Sequence, residues 1–354
     1  MQTPNPAGTD GFDFLEYTTN DPTKLIQQFE SMGMVAVAKH KTHDVTLYQQ
    51  NDIRFLLNVT HNSAAKHFAK EHGACVSAMG FRVKDAKAAF QHALTYGAVP
   101  YQPDSEEIVY DMPAIRGVGN SLIYFVDLQN EISNYAHHFK TIAHAPISSD
   151  KGLTYIDHVT HNLRRGNMTK WADFYTNLFN FQEVRYFDIE GKMTGLKSKA
   201  MTSPCGKIRI PLNESSDDKS QIEEFIKDFN GEGIQHIALG TNNIYHSIEK
   251  LRTAGLDFLD TPDTYFELIE KRLPKHGEPL ELLKKFRILI DGTTAKEKKL
   301  LLQIFTKNML GPVFFEIIQR KGDEGFGEGN FRALFESIEL DQIRRGVLKE
   351  EART

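Results

Sequence analysis

Two histidines and one glutamate occupy strand-like stretches spaced roughly 80 residues apart: His158 in TYIDHVTHN, His236 in GIQHIAL and Glu316 in VFFEIIQR. Glu316 is the least expected of the three. VFFEIIQR is an apolar run rich in β-branched and aromatic residues, bounded by Gly311–Pro312 and Lys321–Gly322, as strands are. Side chains alternate along a strand, so Phe314, Glu316 and Ile318 share one face and Phe315 and Ile317 the other. Apart from Glu316 neither face is polar, which predicts a strand covered on both sides. A buried, unpaired carboxylate is costly. A salt bridge, a protonated acid and a metal ligand answer that cost equally well on residue type alone.

The histidines favour the metal. The chain has 14 of them, so any one taken singly reads as a core or surface residue. Three metal-capable side chains, each mid-strand in an equivalent place, read differently, because one curled sheet can bring them together. Two imidazoles and one carboxylate are the facial triad of non-haem Fe(II) oxygenases. Three ligands on one face leave open positions for a bidentate 2-oxo acid and dioxygen. Zinc hydrolases use a similar set with water in the open place, so the triad does not by itself fix the metal. His161 follows His158 by three residues and falls on the opposite strand face, so HVTH is not a local chelate.

The elements that must position these residues repeat. GFDFLEY (from Gly11) echoes GLTYIDH (from Gly152), and each opens a strand followed by a helical stretch. In the second, Trp171, Phe174, Tyr175 and Leu178 recur at helical spacing. AMGFRVKDAKAAFQHALTYGA (Ala78–Ala98) parallels HIALGTNNIYHSIEKLRTAGL (His236–Leu256), each reading strand, turn, helix, glycine C-cap. NSLIYFVD parallels GPVFFEII. Such internal similarity points to duplicated units. The expected fold is α+β: paired βαβββ modules forming two half-open β-barrels, with a C-terminal lid helix. The polar stretch AHAPISSDKG (Ala143–Gly152) reads as a linker, giving domains at 1–150 (non-catalytic) and 151–354 (catalytic). This alignment sets Tyr17, Ala78 and Phe125 opposite His158, His236 and Glu316, so the first half lacks a typical metal triad.

Around the triad, PLNES places Pro211 and Asn213 on one strand face, and LLQIFTKN places Gln303 and Phe305 on one face. An amide beside an aromatic suits a phenol pocket. An exposed amide on an edge strand fits the pattern equally. In GFGEGNFRALFESIELDQIRRGVL (from Gly325), glycines 325, 327 and 329 precede Asn330, a candidate N-cap. Phe331, Leu334, Phe335 and Ile338 form an apolar stripe. Such a helix packs on the core or acts as a water-excluding lid.

Composition narrows the classes. A formal net charge of −5 argues against a nucleic-acid surface. The basic runs Lys296–Lys299 and Arg344–Arg345 read as solvated helix faces. No apolar run reaches membrane-span length, and the start MQTPNPAGTDGF lacks the basic and apolar parts of a signal peptide. Two cysteines, Cys75 and Cys205, exclude a disulfide framework and fit a reducing, cytoplasmic setting. One tryptophan against 24 phenylalanines suits a Phe-rich core or an aromatic-lined pocket.

Taken together, FFEIIQRKGDEGFGEGNFRALFESIE, LLQIFTKN, PLNES, GIQHIAL and IDHVTHN resemble the bacterial type of the 4-hydroxyphenylpyruvate dioxygenase family, within the vicinal oxygen chelate superfamily. The resemblance covers nearly the whole chain. It implies one Fe(II) per subunit on His158, His236 and Glu316. It also implies a substrate pocket of Ser198, Asn213, Gln221 and Gln303 with aromatic walls Phe305, Phe326 and Phe331; Gln235 is a weaker candidate. The implied reaction converts 4-hydroxyphenylpyruvate and O2 to homogentisate and CO2, in tyrosine and phenylalanine catabolism. Surplus homogentisate oxidises to a brown pigment. A homo-oligomer, dimer or tetramer, is expected from the resemblance, with no nucleic-acid or membrane partner. The nearest rival is 4-hydroxymandelate synthase, with the same triad and substrate; Pro211 and Phe305 favour the dioxygenase. An extradiol catechol dioxygenase would lack the C-terminal run. A ligand-binding protein of this fold would need no metal.

Overall fold

The computed structural model describes residues 4–103, 108–128, 131–143, 150–190, 195–218, 220–295, 297–330 and 332–334. Phe331, the stretch from 335 onward that the lid helix was expected to include, and 144–149 of the expected linker lie outside the described residues.

Two eight-stranded sheets carry the fold. β1 (Thr9–Thr18), β2 (Val35–His40), β3 (Val45–Gln50), β4 (Ile53–Asn58), β5 (Cys75–Val83), β6 (Ala114–Arg116), β7 (Leu122–Asp127) and β8 (Phe139–Thr141) run in the order β6-β7-β5-β1-β4-β3-β2-β8. β9 (Leu153–Leu163), β10 (Gln182–Glu190), β11 (Gly195–Thr202), β12 (Arg209–Ser215), β13 (Gly233–Thr241), β14 (Leu289–Thr293), β15 (Lys299–Phe305) and β16 (Phe314–Lys321) run β10-β11-β12-β9-β13-β16-β15-β14. In both sheets two antiparallel central strands (β1 with β5, β9 with β13) are flanked by parallel partners: β4 and β7 in the first, β12 and β16 in the second.

The modules follow from local sequence. α1 (Pro22–Ser31) begins where Asp21 accepts a hydrogen bond from the Lys24 N–H and Pro22 takes the first helical position, both favourable there. α2 (Ala64–His72) is capped by Ser63 and α3 (Ala86–Thr95) by Asp85; α4 spans Glu131–His138. α5 (Met168–Phe179) buries Trp171, Tyr175 and Leu178 and stops at Asn180, whose φ of 55° is left-handed, as helix ends favour. α6 (Gln221–Asp228) starts from the Ser220 cap, and α7 (Ile244–Thr253) from Asn243. Two units, β1–β4 and β9–β12, therefore run strand, helix, three strands, and a third, β13–β16, does so with three short helices (Asp263–Glu267, Ile269–Arg272 and Leu280–Phe286) added between α7 and β14. The fourth departs from expectation: among the described residues, β5 and α3 are followed by two return strands, β6 and β7. The eighth place in that sheet goes to β8, which extends the opposite edge beside β2.

One apolar core joins the sheets. Tyr17 and Phe55 of the first pack against Phe315 of the second, at ring separations of 6.4 and 6.1 Å. Phe81 meets Phe179 at 5.5 Å. Each such ring contributes roughly 1.5–3 kcal/mol when fully buried. The other sheet faces differ. In the first sheet Phe14, Ala78, Tyr110, Leu122 and Tyr124 fill that face with apolar side chains. In the second the equivalent apolar cluster among the described residues is Ala238, Leu301 and Ile318, which leaves room on the concave face for polar groups.

The registers correct the alignment of the halves. Glu16 pairs with Ala78 and Ala78 with Leu122, just as His158 pairs with Ala238 and Ala238 with Glu316. The counterparts of His158 and Glu316 are thus Glu16 and Leu122, and Ala78 corresponds to Ala238. Tyr17 and Phe125 point into the shared core instead. β-bulges shift the registers, and the residue pattern carries no mark of them. Glu16 is buried, and its carboxylate accepts from Ser77, Asn58 and Tyr110 at 2.9, 2.9 and 2.7 Å. Neutral donors thus satisfy it. Burial pushes its pKa up, with the three hydrogen bonds opposing that rise.

Candidate metal centre

On the concave face of the second sheet the three central strands deliver His158 from β9, His236 from β13 and Glu316 from β16. Their ligand atoms lie within 4.8 Å of one another, the one such group of three found among the described residues. Glu316 Oε2 is 3.2 Å from His158 Nε2 and 3.5 Å from His236 Nε2. The glutamate is 3% exposed and its Oε1 has no hydrogen-bond partner. Buried polar atoms are rarely left so. The orphaned oxygen and two Nε2 atoms facing one carboxylate fit a divalent ion.

Bulges arrange the histidines. Between the pairs Leu239↔Ile156 and Ala238↔His158, Asp157 is the extra residue; between Ile234↔His161 and His236↔Thr160, Gln235 is. An extra residue re-aims side chains locally. Asp157 Oδ1 accepts from His158 Nδ1 at 2.9 Å, and Gln235 Oε1 accepts from His236 Nδ1 at 3.0 Å. Each acceptor fixes the proton on Nδ1 and leaves the Nε2 lone pair toward the cluster, the usual outer arrangement of metal-binding histidines. The Thr160 hydroxyl lies 3.0 Å from His236 Nε2.

The charges agree with this fit. Burial opposes protonation of His158, but Glu316 and Asp157 outweigh it and raise its pKa. Burial lowers that of His236. Burial opposes ionisation of Glu316, yet the two imidazoles hold its pKa below the ordinary value. The cluster therefore holds an ionised carboxylate that draws positive charge to itself.

Several pocket candidates share this concave surface. Gln303 pairs with Ile318, and Phe305 with Glu316, on β15; Ser198 pairs with Asn213 across β11 and β12. Phe305 lies 6.4 Å from the His236 ring and Phe326 5.3 Å from that of His158. Gln221 differs: it is exposed in the first turn of α6. Asn330 is not the N-cap. The helical turn already begins at 328, and Asp291 Oδ2 accepts from the Gly329 N–H at 2.8 Å. Asn330 instead donates to Gln303 Oε1 at 3.2 Å and accepts from the Tyr265 hydroxyl at 2.6 Å. No sequence pattern marks Asp157, Thr160 or Arg320. Asp157 adjoins His158, but strict alternation sends it to the other face. The same row holds Asn162, whose β9 position pairs with Asn213 and whose buried amide has no partner.

His161 faces the helix layer. It is buried, its Nε2 lies 3.0 Å from the Tyr175 hydroxyl, and burial lowers its pKa to about 3. His161→Gln is expected to leave metal binding and turnover within about twofold of the parent and to cost roughly 1 kcal/mol of stability. Metal titration with thermal unfolding checks this; loss of metal affinity would place His161 in the centre.

The fold and cluster together define a paired half-barrel protein with a two-histidine, one-carboxylate cluster that could hold a metal ion. Residues 3–140 match the family described as hydroxyphenylpyruvate dioxygenase, N-terminal, and residues 155–268 match the glyoxalase/bleomycin resistance protein/dioxygenase superfamily. A 4-hydroxyphenylpyruvate dioxygenase of Legionella pneumophila (strain Corby) is 57% identical over 99% of each chain. One of Pseudomonas aeruginosa is 52% identical over 97% of each. A solved structure of a triple mutant of 4-hydroxymandelate synthase from Streptomyces coelicolor superposes with a TM-score of 0.80 at 23% identity, over 95% of this chain and 99% of that one; this likeness concerns the fold alone. The chain belongs to the 4-hydroxyphenylpyruvate dioxygenase family. Among the described residues no helix is long and apolar enough to cross a membrane.

Proposed function

We propose that this protein converts 4-hydroxyphenylpyruvate and O2 to homogentisate and CO2, using one Fe(II) held by His158, His236 and Glu316. The observation that carries the reading is the convergence of these three side chains within 4.8 Å, in a chain so similar to dioxygenases along its full length. Fe(II) at this position supplies chelation of a 2-oxo acid and activation of dioxygen. The protein's own contribution is placement and a dry wall. Asp157 and Gln235 hold the imidazoles. Gln303, on the same face as Glu316, and the paired Ser198 and Asn213 orient the polar ends of the substrate. Phe305 and Phe326 enclose its ring and keep water away, and Phe331 joins them by resemblance only. Gln221 joins the pocket by resemblance only. A homo-oligomer, dimer or tetramer, joins the proposal on the same ground and a cytoplasmic setting on the two cysteines, and sedimentation of the purified protein reads the assembly.

The deciding experiment is product analysis. Protein loaded anaerobically with Fe(II) receives 4-hydroxyphenylpyruvate and air, and products are identified by chromatography and mass spectrometry. Homogentisate is expected. 4-Hydroxymandelate would keep the fold and triad but assign the synthase reaction, with Pro211 and Phe305 shaping a different oxidation. Substrate binding with neither metal binding nor turnover would leave a ligand-binding protein. Asn213→Ala is expected to lower kcat/KM about tenfold, a loss of roughly 1.4 kcal/mol of transition-state stabilisation, with metal content unchanged. Undiminished kcat/KM would take Asn213 out of the pocket.

A further inference from the structure

Arg320 lies four residues beyond Glu316 on β16, with its side chain 7% exposed. Every nitrogen of its guanidinium is engaged. Nε and Nη2 donate to the two oxygens of Asp157, both at 2.8 Å, in a two-pronged pair. Nη1 donates to the backbone carbonyls of Asp323 and Gly325 at 3.1 and 2.7 Å. The face of the group lies 5.6 Å from the centre of the Phe326 ring. That ring stands edge-to-face with His158 at 5.3 Å, and His158 Nδ1 donates to Asp157. The contacts close a circuit from His158 through Asp157, Arg320 and the 323–326 loop to Phe326 and back. A second arginine reinforces it: Arg209 donates to Glu324 at 2.6 Å and approaches Asp157 to 3.8 Å.

We propose that Asp157 and Arg320 are positioning residues that make the aim of His158 and the seating of the 323–326 loop one cooperative unit, so that metal binding and loop closure are thermodynamically coupled. The inference rests on the reading of the triad as a metal centre and goes beyond it to the connection between that centre and the pocket wall. A carboxylate beside a metal-binding imidazole fixes its ring and raises its basicity, and loss of such a partner typically costs 10–100-fold in metal affinity. Here the carboxylate is itself held by a guanidinium whose remaining donors tie down the loop. Lysine cannot reproduce this, because a single ammonium lacks the planar fork. Coupling is reciprocal: whatever tightens the loop must tighten the metal, by the same factor.

The test needs no variant to begin. Amide hydrogen exchange of 323–326 is compared in metal-free wild-type protein and in protein saturated with Fe(II) under anaerobic conditions, or with Co(II). Slower exchange at Gly325 and Phe326 in the loaded protein is expected. Arg320→Lys and Arg320→Met, checked for native circular dichroism, are expected to bind Co(II) roughly 10–100-fold more weakly and to lose metal-dependent protection of the loop. Asp157→Asn should weaken Co(II) likewise. Metal binding by wild type with unchanged loop exchange overturns the coupling and leaves the metal centre standing. Failure of wild type to bind either ion overturns both. Folded Arg320 variants with wild-type affinity and wild-type loop protection also overturn the coupling.

Discussion

Glu316→Gln is expected to abolish tight iron binding and to lower turnover at least about a hundredfold. The carboxylate is buried on β16, with one oxygen 3.2 and 3.5 Å from the two Nε2 atoms and the other without any hydrogen-bond partner. An amide has nearly the same shape but no charge. It cannot offset a divalent cation in a site where water is excluded, and a buried unpaired charge is costly on either partner. Thermal unfolding with and without metal separates this from a folding defect. A ligand present at about 1,000 times its Kd stabilises the native state by roughly 4 kcal/mol. Wild type should show a metal-induced rise in Tm and Glu316→Gln should not, while the two metal-free proteins unfold cooperatively at neighbouring temperatures. A metal-induced shift in Glu316→Gln equal to that of wild type, with normal iron occupancy, would remove Glu316 from the centre.

The convergence of His158, His236 and Glu316 was legible because its signal survives small errors. An apolar strand with one carboxylate, and two further strands each with a mid-strand histidine, need only a curled sheet to converge. The helices were legible through spacing and caps: Trp171, Tyr175 and Leu178 are buried on α5 as their periodicity requires, and Gly97 and Gly255 follow α3 and α7 with φ of 89° and 88°. What stayed hidden depends on register. Asp157 and Gln235 act on the neighbouring histidines only because each is the extra residue of a bulge, and a bulge violates the alternation used to read the strand. The same shifts misplaced Tyr17 for Glu16. Asn330 carries a capping residue type, but Asp291, almost 40 residues earlier, caps that turn from β14; contacts across the fold leave no local trace.

Gly327→Ala is expected to damage substrate binding while sparing the metal. Gly327 has φ of 77°, and a Cβ there would stand 1.8 Å from Gln303 Oε1 and 2.7 Å from its Cδ. The positive φ alone costs alanine roughly 1–2 kcal/mol. A side-chain amide can often swing clear of an added methyl group, but this one is constrained. Gln303 is 2% exposed on the concave face of β15, its oxygen accepts from Asn330, and Asn330 is fixed by Tyr265. The Asn330 N–H in turn donates to the Gly327 carbonyl at 2.9 Å, so glycine, glutamine and asparagine form one locked turn at the pocket edge. Moving Gln303 breaks that turn and misdirects the amide proposed to meet the substrate. The expected result is a fall in kcat/KM of about 10–100-fold, or roughly 1.4–2.7 kcal/mol, carried mainly by KM, with iron content unchanged and Tm lowered by a few degrees. If the glycine acts through Gln303, Gln303→Leu should produce a similar loss and the double variant little more, because the two substitutions remove the same interaction. Additive losses would assign Gly327 a separate role in the loop, and a kcat/KM within twofold of the parent would show that the amide near Gly327 does not hold substrate.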